Sequence, residues 1–358
     1  MSEDKVQRMT SLDVMKGIDM MLIIGLGSVL WNIGAMHEEQ VWGKTLMQQM
    51  GHAQWEGLHV YDLIFPLFVY MSGVAMNFSI RKRLGNGQGK ASLLWHLWSR
   101  AVLLIIAGWV VNGPLSWNMQ EMRFASVLGL IGISGAMCGT LALILRRPLP
   151  IGITAVAIGI GIWAAQQYSG NYTPVGSINA AIDASICPGK LHCTIYDPEG
   201  PLCIVSATVL SMLGFLSGWV FSNAIGTVKR VLILVGSGFI CLLVSTTCPI
   251  IKNIWTPCFV AAAAGIGAVL LSVLHLLCDV LPWRKWCYPF KVVGSNALFI
   301  YLVTNVIDFG KLTSRLFGGT CSALFPAEWQ GVALSSCFLL LAWLLCLFLY
   351  RKGLFIRL

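Results

Sequence analysis

Apolar runs of about 20 residues recur along the chain, separated by short polar or charged segments. They fall near 17–36, 59–80, 94–112, 124–145, 149–167, 202–224, 228–247, 257–279, 290–310 and 331–350. A helix needs about 20 mostly apolar residues to cross a bilayer, and unpaired backbone cannot face lipid. The pattern predicts an all-α integral membrane protein, a polytopic bundle of about ten transmembrane helices. No strand alternation and no linker between soluble domains interrupts it, so residues 1–358 read as one transmembrane domain. Two connecting segments stand out. Residues 37–58 carry charges, two Trp and no Pro and predict a short interfacial helix, whereas 168–201 is rich in Asn, Gly, Pro and Ser and predicts an ordered loop.

Composition removes the soluble alternatives. The chain is 57% hydrophobic and 11% charged, against roughly 25% charged for a soluble domain. The net charge of +9 would suit nucleic acid, but the positions of the cations give it another meaning. With the N-terminus inside, eighteen Lys and Arg fall in cytoplasmic segments. Six, Lys44, Arg123, Lys190, Lys252, Lys311 and Arg315, fall outside. That asymmetry is the positive-inside bias, so basicity reports topology. The expectation is a multi-pass protein of the inner (cytoplasmic) membrane with both termini cytoplasmic and the lipid bilayer as its environment. Nucleic acid is not an expected partner. The first apolar run lacks a small-residue cleavage site and reads as a retained span.

Of the twelve cysteines, Cys138, Cys241, Cys278, Cys337 and Cys346 fall inside spans as small packing residues. Cys187 and Cys193 form the local disulfide candidate in the long loop, with Cys248 and Cys321 as competitors. There is no CxxC or HExxH pattern, and no metal is expected.

Ionisable residues in or near hydrocarbon are costly, so they pair or do chemistry. The densest group is GHAQWEGLHVYDLIFPLF, at the outer boundary of the second span. His52, Glu56, His59 and Asp62 recur at spacings of 4, 3 and 3. One continuous helix would gather them on one side, although Gly57 is placed to break it. A carboxylate beside an imidazole can fix its tautomer for proton transfer, so Asp62 or Glu56 would orient His52. Asp13 and Ser11 read as caps of the first helix, and Asp19 as an ion-pair partner of Lys16 or Arg100 or as a site residue. Asp197 and Glu199 in YDPEGPL read as a turn and cap or as substrate contacts. Lys252 and Trp255 form a further outer cluster, and Ser295 and Asn296 a polar pair entering the ninth span. His275 and Asp279, four apart, read as a structural contact, and Asp308 with Lys311 as a local pair.

These residues carry a resemblance. SLDVMKGIDMMLIIG at 11–25, GHAQWEGLHVYDLIFPLFVYMSG at 51–73, RFASVLGLIG at 123–132, YDPEGPL at 196–202, KNIWTPCF at 252–259 and VGSNALFIYL at 293–302 occur in order. As a set they resemble the transmembrane acyltransferases typified by heparan-α-glucosaminide N-acetyltransferase, the His-Ala-x-Trp-x-Gly…Asp-Leu-x-Phe-Pro piece most specifically. The resemblance implies transfer of an acetyl group from cytosolic acetyl-CoA to an amino sugar or glycan on the far, periplasmic side. It places the family's active-site histidine on His52, acting as general base or as acyl carrier. On this reading Asp62 and Glu56 assist His52, and Trp55, His59, Asp197, Glu199, Asn296 and Asp19 contact the acceptor. Arg81, Arg83, Arg284 and Lys285 meet the phosphates of the donor. A homodimer is compatible with the sequence. The rival readings are O-acyl transfer to a periplasmic glycan and a secondary transporter for a small polar solute. Against the transporter stand polar residues gathered at the boundary rather than the midplane, and no visible pair of interrupted helices.

Overall fold

The computed structural model describes residues 9–112, 122–168, 171–281 and 285–355. Among the described residues nine helices are long and apolar enough to span a bilayer. In chain order the helices are α1 (Thr10–Met36), α2 (Val41–Gln49), α3 (Val60–Gly85), α4 (Lys90–Val111), α5 (Val127–Leu145) and α6 (Pro148–Tyr168). They continue with α7 (Ile178–Ile186), α8 (Pro201–Ser222), α9 (Thr227–Val244), α10 (Pro257–Val280) and the short pair α11 (Tyr288–Gly294) and α12 (Ala297–Val306). α13 (Phe309–Leu324) and α14 (Ala327–Arg351) complete the set. This is a polytopic helical membrane protein. Nine of the ten expected spans are single long elements, and the remaining one, 290–310, is the α11–α12 pair.

α3, α5, α8 and α10 are the buried helices, while α4, α6, α9 and α14 turn most of their surface outward, where lipid covers apolar side chains. Small residues let the buried helices meet backbone to backbone. A Cβ on Gly73 would fall 2.0 Å from the Ser211 carbonyl oxygen, and one on Gly214 2.1 Å from that of Tyr70. The Tyr70 hydroxyl, buried at the same contact, donates to Ser217 Oγ at 2.6 Å.

Two helices are interrupted, and they pack on each other. α1 departs from helical geometry at Ile24 and Gly25, where φ is +134° at the glycine. α11 and α12 are separated at Ser295–Asn296. A Cβ on Gly17 would lie 1.9 Å from the Phe290 carbonyl oxygen, and one on Gly294 1.9 Å from that of Asp13. The expectation of no paired interruption is thereby corrected. Apolar residues flank both breaks, so the hydropathy profile runs through them unchanged.

Two further expectations change. The cap of α1 comes from neither Ser11 nor Asp13 but from Asp279, which accepts from the backbone N–H groups of Thr10 (3.0 Å) and Ser11 (3.4 Å). A disulfide joins Cys248, in the turn after α9, to Cys258 in the first turn of α10, with Cα atoms 5.8 Å apart. Cys187, Cys193 and Cys321 are free. Cys187 closes α7 by donating its N–H to Asp183, whereas Cys193 is held in a separate turn by Tyr196.

Candidate functional site

The segment before α3 is not the continuous helix that the 4, 3, 3 spacing suggested. α2 ends at Gln49, the chain runs irregularly through 51–59, and Gly57 sits at φ +127°. The loop is pinned at three points. His59 Nδ1 meets the Gly51 carbonyl oxygen at 3.1 Å, Gly57 N–H donates to Ile250 O at 2.9 Å, and Glu56 pairs with Ile251 as an isolated bridge. Residue His59 then starts α3 by donating its N–H to Asp62 Oδ2 at 3.1 Å. This return of the loop, rather than a shared helix face, brings His52 to Asp62.

His52 Nδ1 lies 2.8 Å from Asp62 Oδ1. Asp62 is fully buried, while the imidazole is 55% exposed. Asp62 Oδ2 also accepts from Ala53 N–H at 3.1 Å, so two backbone donors fix that oxygen while Oδ1 faces His52. A carboxylate fixed in this way orients the ring through Nδ1 and leaves Nε2 turned to the accessible side. Tyr61 packs against the ring, centroids 5.1 Å apart.

A third charged group joins the pair from 190 positions away in sequence. Lys252 Nζ lies 3.2 Å from Asp62 Oδ1 and 2.8 Å from His52 Nδ1. Burial lowers the Lys252 pKa, against the raising effect of the Asp62 and Glu199 charges. Its position is set by a rigid turn before α10. Trp255, fully buried in a left-handed conformation at φ +47°, stacks edge-on between Phe65 and Phe259. Thr256 Oγ1 accepts from Ile251 and Phe259 N–H and donates to Pro249 O. Such a conformation is uncommon for a bulky residue and persists only where packing holds it.

Beside this group the segment 196–202 forms a buried acidic cluster around one guanidinium. Arg123 donates to both oxygens of Asp197, at 2.8 and 2.6 Å, and to Glu199. Burial opposes the Arg123 charge, and its bonds to Asp197 and Glu199 outweigh burial, so its pKa is raised. Burial would raise Asp197, but the Arg123 bonds hold it below the usual carboxylate range. Glu199 is pushed up to about 7, chiefly by burial and despite Arg123. Asp183, on α7, is pushed up to about 6 by burial, with the Asp197 charge adding. Trp55 ties the loop of His52 to this cluster. Its indole donates to Tyr172 O at 2.6 Å and its ring meets Tyr196 edge-on at 5.4 Å.

His52, Trp55, His59, Asp62, Asp197 and Glu199 therefore gather at one end of the bundle. Glu56 is exposed there and, among the described residues, makes no hydrogen bond to His52; its side chain lines an open hollow of about 390 Å³ with residues 245–250. Asp19 and Asn296 are elsewhere. The Asn296 amide donates to Leu354 O at 3.1 Å, beyond the end of α14, and Asp19 is buried in α1 with no ion pair among the described residues. Both lie toward the end where α1 begins, because the α1–α11 contact puts them there. Arg81 and Lys285 are exposed at that same opposite end, Arg83 is held by His96 at 2.8 Å, and Arg284 lies outside the described residues. Lys252, Arg123 and Asp183 were not among the expected site residues. The first two stand inside the quoted pieces KNIWTPCF and RFASVLGLIG, which was the available signal; Asp183 had none.

No protein-family model matches the chain. It is 23% identical over 431 aligned positions to human heparan-alpha-glucosaminide N-acetyltransferase, covering 97% of this chain and 59% of that protein. It is also 23% identical to the mouse protein of the same name, covering 72% of this chain and 49% of that protein. The chain thus spans about half to three-fifths of the length of the curated relatives it matches. The similarity to this transmembrane N-acetyltransferase runs along nearly the whole chain.

Proposed function

We propose that the protein transfers an acetyl group from acetyl-CoA to the amine of an amino sugar or of a glycan bearing one, at the His52 end of the bundle. The observation that carries this reading is the His52–Asp62 pair, a buried, fully anchored carboxylate behind an exposed imidazole. In the direct route His52 Nε2 takes a proton from the acceptor nitrogen as it attacks the thioester carbonyl. The C–S bond breaks, the amide forms, and the proton passes on to the coenzyme A thiolate. In the covalent route Nε2 itself attacks, releases coenzyme A, and hands the acetyl group to the amine in a second step. Asp62 stabilises the charged imidazole in either route.

The donor enters from the cytoplasmic side, which positive-inside topology assigns to the end carrying Arg81 and Lys285. The acceptor meets His52 on the other, periplasmic side of the inner membrane. The test is turnover of acetyl-CoA with glucosamine by purified protein in detergent, wild type beside His52→Ala. Acetylglucosamine formed by the wild type alone supports the reading; equal rates in both proteins would sink it. Acetyl retained on His52 after rapid quench with acetyl-CoA alone selects the covalent route.

The interruptions in α1 and α11–α12, two helices packed on each other, favour a second reading, transport of a small polar solute past the breaks. Solute uptake into proteoliposomes without coenzyme A release would establish it in place of the enzyme.

A further inference from the structure

His52 Nδ1 faces two opposite charges at one distance. Asp62 Oδ1 and Lys252 Nζ each lie 2.8 Å from it, and Nζ is 3.4 Å from Nε2. One ring nitrogen cannot serve both. With a proton it donates to the carboxylate; without one it accepts from the ammonium. A carboxylate at this range favours the imidazolium, and an ammonium disfavours it.

The other titratable groups near the ring do not replace either charge. Tyr61 on α3 is in ring contact, His59 is turned to the Gly51 carbonyl, and Glu56 is exposed on the far strand of the Ile251 bridge. Glu199 acts on Lys252 from behind and is itself bonded to Arg123. Lys252 has little freedom to leave, because its side chain is 19% exposed and its turn is locked by Trp255 and Thr256.

We propose that Lys252 is a positioning residue of the His52–Asp62 pair, its charge offsetting that of Asp62 at the imidazole so that His52 stays neutral and able to accept a proton. The inference rests on His52 being the base of the proposed reaction. A plain structural salt bridge between Lys252 and Asp62 would hold the fold and leave the titration of His52 unchanged, which is what separates the two.

The experiment uses the full chain with 13C-labelled histidine in detergent micelles. The His52 Cε1–H resonance is assigned by its absence from His52→Gln and titrated between about pH 5 and pH 9. Lys252→Gln leaves Asp62 unopposed and moves the His52 midpoint up by about one unit. Lys252→Arg keeps the charge and holds the midpoint near the wild-type value. Asp62→Asn reads the opposition from the other side and moves the midpoint down, which covers the case of a Lys252→Gln protein that does not fold. In the pH–rate profile the acid limb of Lys252→Gln moves up by the same unit, so the rate below both midpoints drops about tenfold. A midpoint unmoved or lowered in Lys252→Gln, or unmoved in Asp62→Asn, overturns the proposal. The titration needs neither donor nor acceptor. A shifted midpoint with no acetyl transfer by the wild type would therefore retire the enzymatic reading and leave the charge opposition standing.

Discussion

Among the described residues two histidine–aspartate pairs stand, one at each end of the bundle, and the same residue types do different work in them. α10 connects them: the turn carrying Lys252 precedes its first residue, Pro257, and His275 closes a 19-residue stretch, roughly 27 Å along the helix. At the first end the aspartate is buried and the histidine exposed. At the second the histidine side chain is only 10% exposed, its Nδ1 lies 3.1 Å from Asp279, and its Nε2 has no hydrogen-bond partner among the described residues. Asp279 gives its remaining lone pairs to the start of α1, accepting from Thr10 N–H, Ser11 N–H and Ser11 Oγ, the last at 2.5 Å. A carboxylate engaged by a helix N-terminus is a clasp, whereas a carboxylate engaged by loop amides behind an open imidazole fits the reaction site proposed above. What distinguishes the two pairs is which partner faces solvent and what else the carboxylate holds.

The largest effect that separates them is on acetyl transfer. His52→Ala should lower the rate by about 10²–10⁴-fold, the usual contribution of a positioned acid–base group. Asp62→Asn should lose about 10²-fold, because an amide can present N–H to Nδ1 and stabilise the wrong tautomer. His275→Phe should stay within about twofold of wild type. Initial rates of coenzyme A release, normalised to folded protein, check all three. Loss of activity in His275→Phe with retention in His52→Ala would invert the assignment of the two ends.

Much of the first site was legible in the sequence, but for a reason the structure replaces. His52 and Asp62 were singled out by a helical spacing, and they meet through a loop reversed at Gly57 and closed by His59. Spacing along ten residues constrains contact under either geometry, so the pair survived the wrong local structure. Lys252 lies 190 positions from Asp62, and no periodicity reports a contact of that range. The ordered pieces of the family resemblance contain His52, Asp62, Arg123, Asp197, Glu199 and Lys252, though not Asp183, without saying which belong together. They divide by place: 51–73, 123–132, 196–202 and 252–259 meet at the His52 end, while 11–25 and 293–302 pack on each other nearer the opposite end. The spans were legible because lipid demands long apolar runs. The two breaks were not, since Gly25 and Asn296 interrupt the backbone without interrupting hydropathy.

The next effect is on stability and falls on the clasp. Asp279→Ala removes three acceptor contacts to α1 and should cost about 2 kcal/mol. The thermal midpoint in detergent falls while turnover per folded molecule holds. An Asp279→Ala protein of wild-type stability would mean that water caps α1 equally well, and the clasp would lose its meaning.

A smaller effect distinguishes the His52 end by its pH dependence. Glu199, ordinarily at 4.5, stands at about 7 in the folded protein. The native state then holds a proton that the unfolded chain has released, so the stabilisation is present below about pH 4.5 and is lost as pH rises through about 7. The stability of the wild type should decline over that window by about 1 kcal/mol per pH unit, read as a falling thermal midpoint. Glu199→Gln should flatten the decline. A slope unchanged in Glu199→Gln assigns the decline to Asp183, raised to about 6 by the same burial.

The smallest effect is the sharpest test of what His275 is for. Its ring is buried against Phe221, centroids 4.9 Å apart, and its Nε2 is enclosed without a partner. Replacing it by Phe removes an unsatisfied polar atom and keeps a ring of similar size. Asp279 loses one neighbour yet retains the Thr10 and Ser11 donors, so it is not stranded. The gain and the loss are each about 1 kcal/mol and oppose one another, so the thermal midpoint of His275→Phe should sit within about 1 kcal/mol of wild type, on either side. Combining it with Asp279→Ala in a double-mutant cycle isolates the pair itself. A coupling near zero makes His275 a space-filling ring beside the clasp. A coupling well above 1 kcal/mol would show that the His275–Asp279 contact itself holds Asp279 in place, and the ring would then be part of the clasp.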